Sequence, residues 1–199
     1  MMTNAENQEL RDRLDLIENM IDEGRRSTER WGWVFVLWGV AYYAAFAWSS
    51  LDRSWLAWPV TMIAAGLLTS IMAGRRTRNH PRTGIGRAIG SIWLMMGVSL
   101  FVLMISLGFS GRLDSHLSLA IVGSMLAIAN GASSMILRWK IQSACALVWL
   151  GAAEAGCFGT ETQGVIAFLV ATFFCQIVFG IYAMMRESRR PQVHGETHA

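Results

Sequence analysis

Charge is what this sequence has least of. Only 16% of its 199 residues are Asp, Glu, Lys or Arg, while 53% are apolar; a soluble domain carries about 25% charged residues. The shortage is uneven. It falls in six runs: Trp31–Ser50, Trp55–Ala73, Ala88–Phe109, Leu117–Leu137, Ile141–Phe158 and Val165–Met185. Each is about the length a helix needs to cross a ~30 Å hydrocarbon core at ~1.5 Å per residue. Together they hold one charged residue, Glu154. A soluble helical protein would break such runs with a charge every third or fourth position. The expected fold is therefore all-α and polytopic, with six transmembrane helices over residues 31–185 arranged as three hairpins. An amphipathic helix over residues 1–30 precedes them, and a disordered tail over residues 186–199 follows.

Other scarcities exclude specific chemistries. The three cysteines, Cys145, Cys157 and Cys175, lie inside spans without ligand spacing, so they read as small apolar residues and not as a disulfide or metal set. None of the four histidines falls in a span, which argues against a bis-histidine haem. His80 and His116 are expected on opposite sides of the membrane. His194 and His198 stand four apart, but in a Gly-containing tail after Pro191. There is no nucleotide loop, zinc-protease pair or G-x-S-x-G turn. The stretch "GIGRAIG" at 84–90 has its third glycine one residue late for a dinucleotide fingerprint and follows no strand. No cofactor, metal or enzymatic activity is expected.

Lysine is nearly missing too: Lys140 stands alone against sixteen arginines. Their placement is informative. Five precede the first span, five lie between spans two and three, two between four and five counting Lys140, and three follow span six. The remaining loops hold only Arg53 and Arg112. Cytoplasmic loops carry the basic excess, so both termini are expected in the cytoplasm. The basic balance is then topological and calls for no nucleic-acid partner. The first thirty residues lack the basic-apolar-small order of a secretion signal, so span one is expected to direct insertion. Tryptophans at span starts (Trp31, Trp33, Trp55, Trp58, Trp139) read as an interfacial belt.

Before the spans, Thr3 and Glu6 have capping-box spacing, and Leu10, Leu14, Ile17 and Ile21 recur at intervals of four, three and four. That is the seam of a short coiled coil. Seven acids against two arginines between Asn4 and Gly24 disfavour an anionic leaflet, so the seam reads as a protein contact. The contact is self-association, packing on this chain's own loops, or a soluble cytoplasmic partner. Alone, two heptads are too short to be stable.

Within the spans, small residues four apart (Gly123, Ala127 and Gly131 in span four; Gly151 with Ala155, and Ala152 with Gly156, in span five) let helix backbones approach closely. Spans four and five are thus expected at the centre of the bundle or of a homo-oligomer, and spans one and three toward lipid. Glu154 lies roughly 6–10 Å below the outer hydrocarbon edge and should be covered by another helix or reached by a wet cavity. With Gln176 and Asn130 it forms three polar levels. These read as interhelical hydrogen bonds, as an ion or proton path, or as a ligand site. A Trp beside a Gly in each odd span admits a triplicated hairpin or chance similarity.

The junction "RRSTERWGWVFVLWGV" (Arg25–Val40) resembles that of uncharacterised bacterial six-span inner-membrane proteins with a charged cytoplasmic N-terminal helix. The resemblance covers about the first fifty residues. It implies a bacterial inner-membrane protein with both ends inside, and transfers no functional residue. The resulting expectation is a non-enzymatic scaffold or regulatory component that binds a partner through Leu10, Leu14, Ile17 and Ile21. The alternative is a small oligomeric channel or transporter using Glu154, Gln176 and Asn130.

Overall fold

The computed structural model describes residues 4–52, 56–77 and 84–189; Thr3, Arg53, Trp55, His80, His194 and His198 lie outside them. The described residues form helices joined by short turns and contain no strand. Helix α1 (Asn4–Arg30) is followed by α2 (Gly32–Asp52), α3 (Ala57–Thr77), α4 (Gly84–Phe109), α5 (Ser115–Leu137), α6 (Lys140–Phe158) and α7 (Glu161–Ser188). Helices α2 to α7 are long and apolar enough to cross a membrane. This is a multi-pass, all-α membrane protein.

The helices pair in sequence order (α2 with α3, α4 with α5, α6 with α7), as three hairpins would. The most extensive contact, however, joins α5 to α6 across hairpins. Only Arg138 and Trp139 connect those two helices, with Arg138 in the left-handed region at φ 47°. At their interface a Cβ on Gly123 would stand 3.0 Å from Ala153 Cβ, and one on Gly131 3.7 Å from Ala146 Cβ. Without side chains there, the backbones close up and dispersion contacts replace lipid ones.

Helix α7 packs on α6, α5 and α2. Gly164 faces Gly156, and Gly180 faces Gly32. Between them α7 widens into a π-helical segment, Phe173–Val178, flanked by α-helix on both sides. Span one is therefore not a lipid-facing helix. Gly32, Phe35, Gly39, Tyr42 and Ala45 of α2 are buried, because its glycines let it sit against α7 while its aromatics fill the space toward α3 and α4. The Trp–Gly pairs of the odd spans do not share a role. Gly39 is packed against α7, whereas Gly97 and Gly151 have open space around them.

The peripheral helices are α3 and α4. They have no contact with each other among the described residues, and each shows the bilayer an apolar stripe, Ile63, Leu67 and Ile71 on α3 and Leu94, Val98 and Phe101 on α4. Tryptophan is shared between surface and core. Trp31 and Trp33 stack at the α1–α2 junction, 6.1 Å between ring centroids. Trp139 and Trp149 are buried, against Phe179 and Phe168 respectively. The indole of Trp139 is thus core packing and not an interfacial anchor.

Candidate functional site

Helix α1 is two things in one rod. Its C-terminal third is bolted to one end of the bundle, where the start of α4 and the ends of α5 and α7 meet. A Cβ on Gly24 would stand 2.6 Å from Ile85 Cγ2 and 2.9 Å from Leu137 Cδ2, so glycine lets α1 lie this close to α4 and α5 without displacing those side chains. One turn on, Thr28 is buried and donates to Gly24 O. Arg25 donates from Nε to Leu137 O at 2.7 Å and from Nη2 to Arg138 O at 2.6 Å. The last carbonyls of a helix have no intrahelical partner and carry partial negative charge, so a guanidinium is well matched to them. Glu29, 1% exposed, pairs with Arg186 of α7 at 3.2 Å.

Among the described residues, the preceding stretch is bolted to nothing in the bundle. Every residue from Gln8 to Met20 is exposed, including Leu10, Leu14 and Ile17, and Ile21 is half-buried where the clamp begins. At ~100° per residue Leu10, Leu14, Ile17 and Ile21 share one line with Gly24 and Thr28. The face that packs on the bundle therefore continues as an apolar seam past the bundle's edge. Packing on this chain's own helices accounts for residues 21–30 and leaves the seam open. Outside the seam, Leu16 and Met20 widen the apolar arc.

The intramembrane polar residues divide differently from the expected ladder. Asn130 and Gln176 point inward and are buried. Glu154 does not join them: it is exposed on the outward face of α6, with Leu147, Leu150 and Phe158. The reason is helical geometry. The inward face of α6 is set by Gln142, Cys145, Trp149, Ala152, Ala153 and Gly156, and Glu154 falls one to two residues out of that phase. Gly151 shares the outward face, with nothing within 4 Å of its Cβ position, and Ala155 is half-buried. Of the paired small residues in span five, Ala152 and Gly156 carry the packing. In span four, Gly123 and Ala127 are buried and Gly131 is half-buried.

Gln142 is the polar residue that sequence reasoning missed. It is fully buried, and neither its Oε1 nor its Nε2 has a hydrogen-bond partner. It stands in the first turn of α6, where a polar side chain can equally face the interface, so no spacing in the sequence marks it as buried. Asn130 donates to Leu126 O at 2.8 Å, leaving Oδ1 unpaired, and the indole N–H groups of Trp139 and Trp149 are also unpaired. The contacts of Gly131 with Ala146 and of Cys175 with Cys145 O set the register of α5, α6 and α7. In that register Asn130, Gln142 and Gln176 fall within roughly 7 Å along the bundle axis, in its α1-side half. Neighbouring hydroxyls are satisfied: Ser133 accepts from Trp93 Nε1 and Thr172 donates to Phe168 O.

Leaving a buried amide unpaired costs about 1–3 kcal/mol. Gln142→Met keeps the volume and removes both orphaned groups, so thermal unfolding in detergent should show an unchanged or higher midpoint. A clear drop would mean that the amide has partners in the membrane-embedded protein.

Among the described residues no group of His, Cys, Asp and Glu is placed to hold a metal ion. What fold and site define is a polytopic helical membrane protein with a clamped, projecting arm and a neutral amide layer in its core. No protein-family model, curated protein or solved structure matches the chain.

Proposed function

We propose that this protein is a non-enzymatic anchor or regulatory component of a bacterial inner membrane, with both termini cytoplasmic, whose arm holds a soluble protein at the membrane surface. One observation carries the reading. The apolar seam Leu10, Leu14, Ile17 is fully outside the bundle, on a helix whose other end is fixed by Gly24, Arg25 and Glu29. Exposed apolar side chains aligned on one helix face are a recurring binding mode, with anchors at heptad-like spacing. The clamp adds to it by removing much of the freedom that binding would otherwise have to restrict. The asymmetric distribution of arginine supports the cytoplasmic placement of the arm.

The test is the mass of the intact complex purified in a gentle detergent. Wild type should carry a second, soluble polypeptide, and Leu14→Glu with Ile17→Glu should release it without altering the unfolding temperature, since both side chains are already exposed. Complexes that contain only copies of this chain would overturn the reading.

A small channel or transporter is the second reading, favoured by the unpaired amide of Gln142 and the unpaired Oδ1 of Asn130. In that case the inward-facing groups are neutral, and the conducted species is a neutral polar solute, because a dehydrated ion needs charges or many aligned dipoles to replace its water. Proteoliposomes of wild type and Gln142→Met that are equally impermeable to water, glycerol and urea would eliminate it.

A further inference from the structure

We infer that the outward face of α6 is the seat of a transmembrane helix from a second membrane protein, which brings a Lys or Arg side chain to the depth of Glu154. The contact is independent of the arm and lies within the bilayer, not at its surface.

Glu154 carries the inference. It is the single charged residue in the six apolar runs, and it forms no ion pair among the described residues. Ionisable side chains in membrane spans almost always face a bundle interior or a wet cavity and are paired there. Within this chain Glu154 has neither. Helix α6 touches only α5 and α7 among the described residues, and Glu154 is exposed on its outward side. It stands four residues before Phe158, the last residue of α6, which is about 6 Å short of the helix end. Left to lipid, the carboxylate would sit in hydrocarbon.

The rest of the face is shaped for a helix. At ~100° per residue Lys140, Ala144, Leu147, Gly151, Glu154 and Phe158 fall within one arc of about 80°, and all six are exposed. Their spacing alternates four and three, the heptad pattern of helices that cross at a shallow angle. Gly151, one turn before Glu154, has nothing within 4 Å of its Cβ position. A partner backbone can therefore approach closely there and deliver a side chain to the carboxylate.

Charge selects the occupant. A second copy meeting this face through its own α6 sets Glu154 against Glu154, and like charges oppose association. None of the six runs supplies a Lys or Arg to offset it. A foreign helix with one basic residue opposite Glu154 and apolar residues elsewhere neutralises the carboxylate and covers the seam.

The test reconstitutes the full-length protein in neutral-lipid liposomes with labelled synthetic transmembrane helices. These share one Leu/Ala sequence and carry Lys, Leu or Glu at the depth of Glu154. Energy transfer to a fluorophore on the C-terminal tail should show the Lys helix associating about tenfold more tightly than the Leu helix, the size expected of one interhelical polar contact. The Glu helix should not exceed the Leu helix. Glu154→Gln should bring the Lys helix down toward the Leu level, and Glu154→Lys should transfer the preference to the Glu helix. Thermal midpoints equal to wild type would show both variants folded. Equal association of all three helices, association of none, or a Lys preference that survives Glu154→Gln would each overturn the inference. Dimers of this chain that Gly151→Leu separates would assign the face to a second copy and overturn it too. None of these outcomes bears on the arm, whose own test is release by Leu14→Glu with Ile17→Glu.

Discussion

Gly180→Leu is expected to push α7 off α2 and to leave little folded protein in detergent. At this crossing a Cβ on Gly180 would lie 2.7 Å from Gly32 O, 2.7 Å from Val36 Cγ2 and 3.0 Å from Val36 N. Two of those three atoms are backbone and cannot rotate away. The reciprocal position is as tight, with a Cβ on Gly32 falling 2.8 Å from Gly180 O. Forcing extra atoms into a packed contact costs roughly 1–3 kcal/mol and sometimes more, and here the whole leucine side chain must be accommodated. In a membrane the loss is not offset by any hydrophobic drive between helices, since association there depends on close packing. The measurement is the folded fraction by size exclusion and the thermal midpoint, with Gly97→Leu as control. Gly97 has nothing within 4 Å of its Cβ position, so that variant should behave as wild type. Equal behaviour of the two variants would show that the α2–α7 contact is not what holds the bundle.

Arg186→Ala should loosen the arm by about 2–3 kcal/mol. Glu29 is 1% exposed and is paired with Arg186 at 3.2 Å. Removing one partner of a buried pair costs about 3–5 kcal/mol, because the other charge loses much of its compensation. A smaller figure, about 2–3 kcal/mol, applies here because the Arg186 side chain is itself 39% exposed, and screening weakens what it contributes. Amide hydrogen exchange over residues 21–30 should rise in Arg186→Ala, with little change in α5 and α6. Glu29→Gln in the same background should recover part of the protection, since the amide removes the under-compensated buried charge. Unchanged exchange in Arg186→Ala would mean that Arg25 and the Gly24 contact hold α1 by themselves. The effect reaches function through the arm: a seam on a loosened helix has more freedom to lose on binding.

Much of this protein was legible in the residue order because a bilayer imposes so strict a rule. Backbone polar groups in hydrocarbon must be satisfied locally, which leaves helices as long as the membrane is thick. Runs such as Val165–Met185, free of charge, can therefore be nothing else, and the six spans, the all-α class and the separate charged helix at the start follow from length and composition. The seam of α1 was equally plain, since Leu10, Leu14, Ile17 and Ile21 keep a period no exposed charged segment needs. The small-residue face of span four was legible for the same reason: Gly123 and Ala127 stand where a close neighbour would require them.

What the residue order did not decide is which way each helix turns inside the bilayer. In water an amphipathic pattern marks the buried face, but lipid is as apolar as leucine, so α2 and α6 carry no such mark. Span one, rich in aromatics, turned out to be packed through Gly32 and Gly39, and Glu154 turned outward while Gln142 turned in. Only the tertiary contacts settle those rotations. The tight Arg138–Trp139 turn and the interlocking of Gly123 with Ala153 fix the phase of α6, and once that phase is fixed one residue's rotation separates a buried amide from a carboxylate on the surface. The clamp on α1 was hidden for the same reason, since Arg25 and Glu29 look like any charged residues near a membrane until the ends of α5 and α7 are brought against them.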